Sequence, residues 1–522
     1  MKREPNPILI KELRATFRTP LFVRFLYLAT GVVGILVLMV GAIAASEGTP
    51  PAQVGQTVFL MFFGLAVAVV SLVVPAASST TITAEVEGST FESLLLTGMD
   101  PARIVVGKFL ANFATFGLVV VAMSPVVAIA FLFGGVSPLR IFWAFFGLFV
   151  LLAIAVAWGV SVSARVRTTR TAIIVSTLLF QPVVLYGTVF VGVAGFAMSG
   201  VFSSAENLGP FWFADTLALH FFRLDAFVLV FLLPIYAAGL TIWFLLASAI
   251  ASVRPAAEDR STPFKVWALA ALFGQVLVLF AAFEVVAGGR GGLSFDPRDW
   301  DDLALGLQFA SAALAFFFAA LFANEPPLPP RLWQLRSRRS HSWLGPGAAG
   351  TTQAGILLIG ASVGLATGVA FLYGNSSWRY VTAFALTGAT TFVVASFYLY
   401  LGAWLRVTLR SGAAARVLAF LVLLVTLIFA LLGRLIVPEL KSAFDCFSPV
   451  QGYVAAVEQL SRHRALDTTG PISVGLYALL TLTLYLLLRA RVRRAQVRLD
   501  ERRAHTESLA AAREAAQAGA PQ

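Results

Sequence analysis

This chain has almost no cysteine and very little charge. One cysteine, Cys446, stands among 522 residues. A disulfide framework, a zinc knuckle and an iron–sulfur site each need several thiols, so one chain alone builds none of them. Charged residues make up 12% of the sequence, about half the roughly 25% of soluble domains. The four histidines, His220, His341, His463 and His505, are far apart. No HExxH or GxSxG motif is present, which removes the simplest signatures of zinc and serine hydrolases. A P-loop is missing too. The Gly107-Lys108 pair lacks the earlier glycine and the following Ser/Thr that would cradle a nucleotide phosphate.

Hydrophobic residues fill the space instead, at 59% of the chain with a mean hydropathy of +0.85. Crossing a bilayer takes about 20 apolar residues. Twelve segments qualify: 21–45, 54–78, 109–133, 140–163, 171–198, 226–249, 266–287, 303–323, 352–373, 381–401, 415–437 and 472–488. The basic N-terminal stretch is too long and charged for a cleavable signal, so the first apolar run reads as a span. The formal charge of +12 would suggest nucleic acid in a soluble protein. Here the basic residues collect in alternate loops. With the N-terminus inside, 29 of the 38 Lys/Arg fall on the cytoplasmic side, as the positive-inside rule requires. The expected fold is an all-α polytopic membrane protein with twelve spans and both termini in the cytoplasm.

Loop lengths repeat between the two halves. Each half has a long inner loop after its second span (79–108; 324–351) and a long outer loop before its sixth (199–225; 438–471). The expected organisation is an interfacial helix over 1–20, a six-span half over 21–251, a linker over 252–265, a second half over 266–488 and a basic helical tail over 489–522. Asn6 caps a helix opened by Pro7. Leu9, Leu13 and Phe17 share one face of it, with Lys11, Glu12 and Arg14 among its charged residues, as in a helix lying in the membrane interface. The basic start of the tail suits anionic lipid head groups.

The most telling stretch is the first long inner loop. Residues 85–108 read EVEGSTFESLLLTGMDPARIVVGK. Glu85, Glu87 and Glu92 with Leu94, Leu95 and Leu96 read as one short amphipathic helix, Glu85 and Glu92 sharing a face at a spacing of seven. Carboxylates there can meet a basic partner while Phe91 and the leucines fill an apolar cleft.

This segment resembles the coupling region of permease subunits of the type-two ABC exporter family. That family's run is Glu-Arg-Glu-x-Gly-Thr-Leu-Glu, leucines, Thr-Pro-Leu-Ser, then Ile-x-x-Gly-Lys. Glu85, Glu87, Thr90, Glu92, Leu94 to Leu96, Thr97, Ile104, Gly107 and Lys108 match it without a gap. Phe91 replaces a leucine, Val86 the arginine, Ser89 the glycine and Gly98 the proline. The opening Asn6 to Arg14 and the long outer loop at Gly209 to Phe222 resemble the family as well. The likeness covers roughly residues 1–254; the second half matches in topology only, its inner loop carrying one carboxylate, Glu325.

The resemblance implies an exporter of the bacterial cytoplasmic membrane. Its ATP and Mg²⁺ would sit in a separate P-loop ABC ATPase, docked on Glu85, Glu87, Thr90, Phe91, Glu92 and Leu94 to Leu96. The permease would pair as a homodimer or a heteromer among membrane lipids, without nucleic acid and without a cofactor or catalytic site of its own. The sparse charge along the spans suits a hydrophobic or amphipathic cargo. Two rival readings are a scaffold driven by an ABC ATPase and a membrane-embedded lipid-modifying enzyme, whose chemistry would need the acidic loop Asp296–Asp302. Within the spans Glu284 is an ionisable candidate for transport, and Asn112, Gln181, Gln275 and Gln308 are candidate helix ties.

Overall fold

The computed structural model describes residues 6–199, 211–255, 257–287, 297–329, 345–373, 378–409, 411–436, 441–461 and 467–518. Every regular element among them is helical. Ten helices are long and apolar enough to cross a membrane. Two further apolar stretches, Thr262–Val278 and Gly306–Phe322, are shorter among the described residues. The chain is therefore an all-α polytopic membrane protein. It divides into two compact units, Met1–Arg254 with Ala287–Leu293, and Pro255–Val286 with Ser294–Gln522.

In the first unit proline starts many of the helices. Helices α1 (Pro7–Arg18), α2 (Pro20–Ser46), α3 (Pro51–Ser78), α6 (Pro101–Ala122) and α8 (Pro138–Ser163) all open on it. Proline fits there because the first helical amides have no partner inside the helix. Side-chain oxygens of Asn6, Asp100 and Ser137 then cap α1, α6 and α8. Between α3 and α6 lie two short helices, α4 (Thr80–Glu87) and α5 (Phe91–Leu96). The expected third span lies within one apolar membrane-crossing stretch, Pro101–Phe133, built of two helices, α6 and α7 (Ser124–Phe133). Pro125 explains the break, since it has no amide to continue the ladder.

The core of this unit is aromatic. Phe59, Phe62 and Phe63 on α3 are fully buried. They form edge and tilted pairs with Phe145 of α8 and with Phe211. α3 and α8 approach closely at Gly159, where a Cβ would lie 2.6 Å from that of Ser78. α9 (Thr169–Ser199) continues past Pro182, and Gln181 beside it donates to the Ser71 carbonyl at 2.9 Å. A short helix α10 (Trp212–His220) follows. The last rod of the unit opens with a π-helical stretch, Phe227–Leu232, and continues as α11 (Leu233–Val253).

The second unit comprises α12 (Thr262–Ala287), α13 (Pro297–Phe322), α14 (Ala348–Tyr373), α15 (Trp378–Leu409), α16 (Gly412–Ile436), α17 (Lys441–Cys446), α18 (Gln451–Ser461) and α19 (Thr469–Ala518). α15 is its central helix, the most buried of the ten although the least apolar of them. Polar ties account for this combination. Gln308 of α13 donates to the Phe384 carbonyl at 3.2 Å and accepts from the Thr387 hydroxyl. Thr391 shares a hydrogen bond with Tyr453 of α18 at 2.5 Å. Gln275 and Ser362 join α12 to α14 through bonds of 2.9 and 2.6 Å. In apolar surroundings such amides gain most when paired with another helix.

Candidate coupling site

Residues 85–96 form two helices, not the single helix that a carboxylate spacing of seven suggested. α4 ends in a Schellman motif. The Thr90 amide donates to the Glu85 carbonyl at 2.9 Å and the Ser89 amide to Val86 at 3.2 Å. Ser89 has φ 55° and is the only non-glycine residue with positive φ among those described. The family pattern has glycine at this position, and the conformation explains why: a Cβ is disfavoured there. The break separates Glu85 from Glu92, so the two carboxylates do not share a helix face.

The three glutamates serve three different ends. Glu85 turns inward, its Oε1 2.9 Å from Nζ of Lys108 on α6. Glu12 of α1 reaches the same ammonium at 3.2 Å. The Thr81 carbonyl accepts its third proton at 3.0 Å. The Lys108 side chain is only 1% exposed, and its three donors meet three acceptors, which satisfies a buried lysine. Lys11 lies 3.9 Å from Glu85 at a largely exposed position, where a pair contributes little. Asn112 backs the cluster by donating to the Thr81 hydroxyl at 3.1 Å and to the Lys108 carbonyl at 2.9 Å.

Glu87 caps α9 from another helix. Its Oε1 accepts from the Thr169 amide at 2.9 Å, and Oε2 accepts from the Thr169 hydroxyl. These hydrogen bonds, with the charge of Arg170, hold its carboxyl below the usual carboxylate range. Glu92 on α5 stands exposed. Leu96 is 87% exposed, Leu94 is half-buried and Phe91 packs on the core. The Leu95 side chain lies outside the described residues. Thr90 spends its hydroxyl on the α4 cap, donating to the Glu85 carbonyl at 3.3 Å.

The N-terminal helix is fastened to this cluster. Asn6 accepts from the Ile8 amide at 3.1 Å and donates to the Arg103 carbonyl at 2.8 Å. Gly107 makes the approach possible, since a Cβ there would sit 2.9 Å from that of Ile8. Within the structure α1 packs through Ile8 and Glu12, and Phe17, on the apolar face expected to meet the membrane interface, is 43% exposed. Lys11 and Arg14 also face outward.

Sequence reasoning missed two members of the site. Lys108 matched the family run but had no partner assigned to it, although a lysine leading an apolar helix needs a counter-ion. Ser163, the last residue of α8, accepts from the Ile82 and Thr83 amides at 2.8 and 3.0 Å. It gave no sequence signal, because its partner lies about 80 residues away. Through these bonds α4 is tied to α1, α6, α8 and α9 at once.

At the other end of α8, Arg140 pairs with Asp215 of α10 at 2.8 Å. Its guanidinium lies 4.6 Å from the centre of the Phe59 ring, in reach of a cation–π contact. In the second unit, Glu325 is half-buried. Burial raises its carboxyl above the usual range, while the charge of Lys265 pulls it back. Lys265 is 1% exposed and donates to the Gly345 carbonyl at 2.6 Å. The side chains of Glu284 and of Asp296–Asp302 lie outside the described residues. Among the described residues no cluster of three or more His, Cys, Asp or Glu could hold a metal. No protein-family model, no curated protein and no solved structure matches this chain.

Proposed function

We propose that this chain is the membrane-spanning permease of an ATP-driven exporter, with twelve spans in two halves and both termini in the cytoplasm. A separate P-loop ATPase carries ATP and Mg²⁺ and docks on α5. The observation that supports this reading is the mechanical position of α4. One eight-residue helix is bonded to three others, α6, α8 and α9, reaches α1 through Lys108, and carries α5 at its end. A push on α5 is passed by α4 to α6 and α1 through Lys108, to α8 through Ser163, and to α9 through Thr169. A two-state bundle biased by contacts at one end is the physical basis of such coupling. Glu92 and Leu96 supply the charged and apolar contacts to the partner. Glu85 and Glu87 hold the lever together. The cargo is hydrophobic or amphipathic.

Purification of the tagged chain from its own host in mild detergent tests this. A P-loop ATPase is expected in near-stoichiometric amount. The variant Glu92→Lys/Leu96→Asp should lose it while eluting as the intact, folded chain. Absence of any ATPase from the unchanged chain in several detergents would overturn the proposal.

A further inference from the structure

α3 carries a proline, Pro75, just before its end at Ser78. Pro75 has no amide, so the Ser71 carbonyl one turn earlier loses its donor within the helix. In apolar surroundings that carbonyl needs another. The Gln181 side chain of α9 supplies it at 2.9 Å, from 110 residues along the chain. Ser176, also on α9, donates its hydroxyl to the Pro75 carbonyl at 3.0 Å. The Trp158 indole of α8 donates to the Ser176 carbonyl at 3.1 Å. The residues after Pro75 weaken the helix further. The hydroxyls of Ser79, Thr80 and Thr81 donate to the carbonyls of Ala76, Ala77 and Ser78 at 2.7, 2.8 and 2.8 Å. Such back-bonding competes with the backbone ladder and bends helices. Ser79 alone separates α3 from α4, and its φ of −73° and ψ of −13° keep the chain helical.

Packing leaves α3 space at this point. An apolar cavity is lined by Val70, Val73 and Val74 of α3, Val119 and Val120 of α6 and Leu152 of α8. It lies along α3 immediately before Pro75, in an interior where close packing is the rule. A few residues at the end of an element, short of one backbone bond and next to a void, are where a rotation is most easily absorbed. We propose that residues 71–81 are the hinge through which α4 moves α3, and that Gln181 positions it, holding the present conformation by filling the acceptor that Pro75 leaves open. This inference rests on the permease reading above. Gln181 acts through α3 and is a positioning residue. A static tie would stabilise the fold and leave the balance of states alone; a positioning residue shifts that balance.

The test uses the full chain with its co-purified ATPase in nanodiscs. Spin labels at Ala84→Cys on α4 and Phe222→Cys beyond α10, both exposed positions, report the distance in a Cys446→Ser background. Gln181→Met should raise the ATP-favoured population of the nucleotide-free complex about five-fold, the size of one lost hydrogen bond. Pro75→Ala returns an amide to the Ser71 carbonyl and makes α3 a continuous rod. Its nucleotide-dependent shift should be lost with the ATPase still bound and with no fall in Tm, and adding Gln181→Met should then change nothing. A Pro75→Ala chain that keeps the shift, while Lys108→Met/Glu85→Gln loses it, would overturn the hinge and leave the permease reading standing. A Gln181→Met chain that melts earlier but keeps the unchanged chain's distribution would reduce Gln181 to a static tie and overturn its role. An unchanged chain that binds no ATPase would overturn both the hinge and the permease reading.

Discussion

Lys108 shows what a residue-level reading of a membrane sequence leaves out. A buried ammonium is stable only with its acceptors in place. Lys108→Met should destabilise the fold by about 3 kcal/mol, because Glu12 and Glu85 would face each other across the gap. Adding Glu85→Gln should recover part of that loss, and thermal unfolding of the four-member double-mutant cycle checks it. Ser89 offers the opposite case. Its left-handed φ of 55° costs a β-carbon about 1 kcal/mol, so Ser89→Gly should raise thermal stability by roughly that amount without altering docking. Glu87 sets a pH dependence. Its carboxyl is lowered in the folded state, so the cap on α9 is fully present above the ordinary carboxylate range and is lost as pH falls through the lowered value. Hydrogen exchange at Thr169 should therefore quicken relative to α8 as pH drops from 7 towards 3. A flat pH response, or one shared by Glu87→Gln, would show that the carboxylate does not hold that turn. Asn6 and Pro7 were legible because capping is local. Lys108, Ser163 and Thr169 were not, because their partners lie about 25 to 100 residues away.

At the scale of elements, hydropathy located the long helices well, since lipid leaves a spanning backbone no alternative to internal hydrogen bonds. Helix breaks were harder. The α4–α5 junction depends on a C-cap geometry at Gly88, Ser89 and Thr90 that residue spacing does not reveal. Pro125 was visible in the sequence as a helix breaker, yet apolar character alone joined α6 to α7. Proline did not break α9, where the helix passes through Pro182. The last span, 472–488, and the helical tail expected after it form one 50-residue helix, because the arginines continue the helix that the leucines began. The division of labour among Glu85, Glu87 and Glu92 is also an element-scale result. Changing all three to alanine would mix loss of docking with loss of the lever, whereas Glu92 and Leu96 can be changed without touching Lys108 or Thr169.

At the scale of the whole molecule, each unit has a buried lysine near a helix start, with carboxylates close by. In the first the acceptors come from α1 and α4. In the second, Lys265 bonds the Gly345 carbonyl and feels the charge of Glu325 and Asp259. The two lysines are thus anchored by unlike residues. The claim that matters most is that ATP turnover in another chain moves this one. The measurement is a spin-label distance within the first unit, between Ala84→Cys at an exposed position of α4 and Phe222→Cys beyond α10, in a Cys446→Ser background and with the ATPase bound. Phe222 is 99% exposed and Cys446 is the one native cysteine, so the labels are accessible and specific. The account predicts two distance populations whose balance shifts between nucleotide-free and ATP-bound complexes, with the shift lost in Lys108→Met/Glu85→Gln. One unchanging distribution in both states, with the ATPase active and bound, would contradict it.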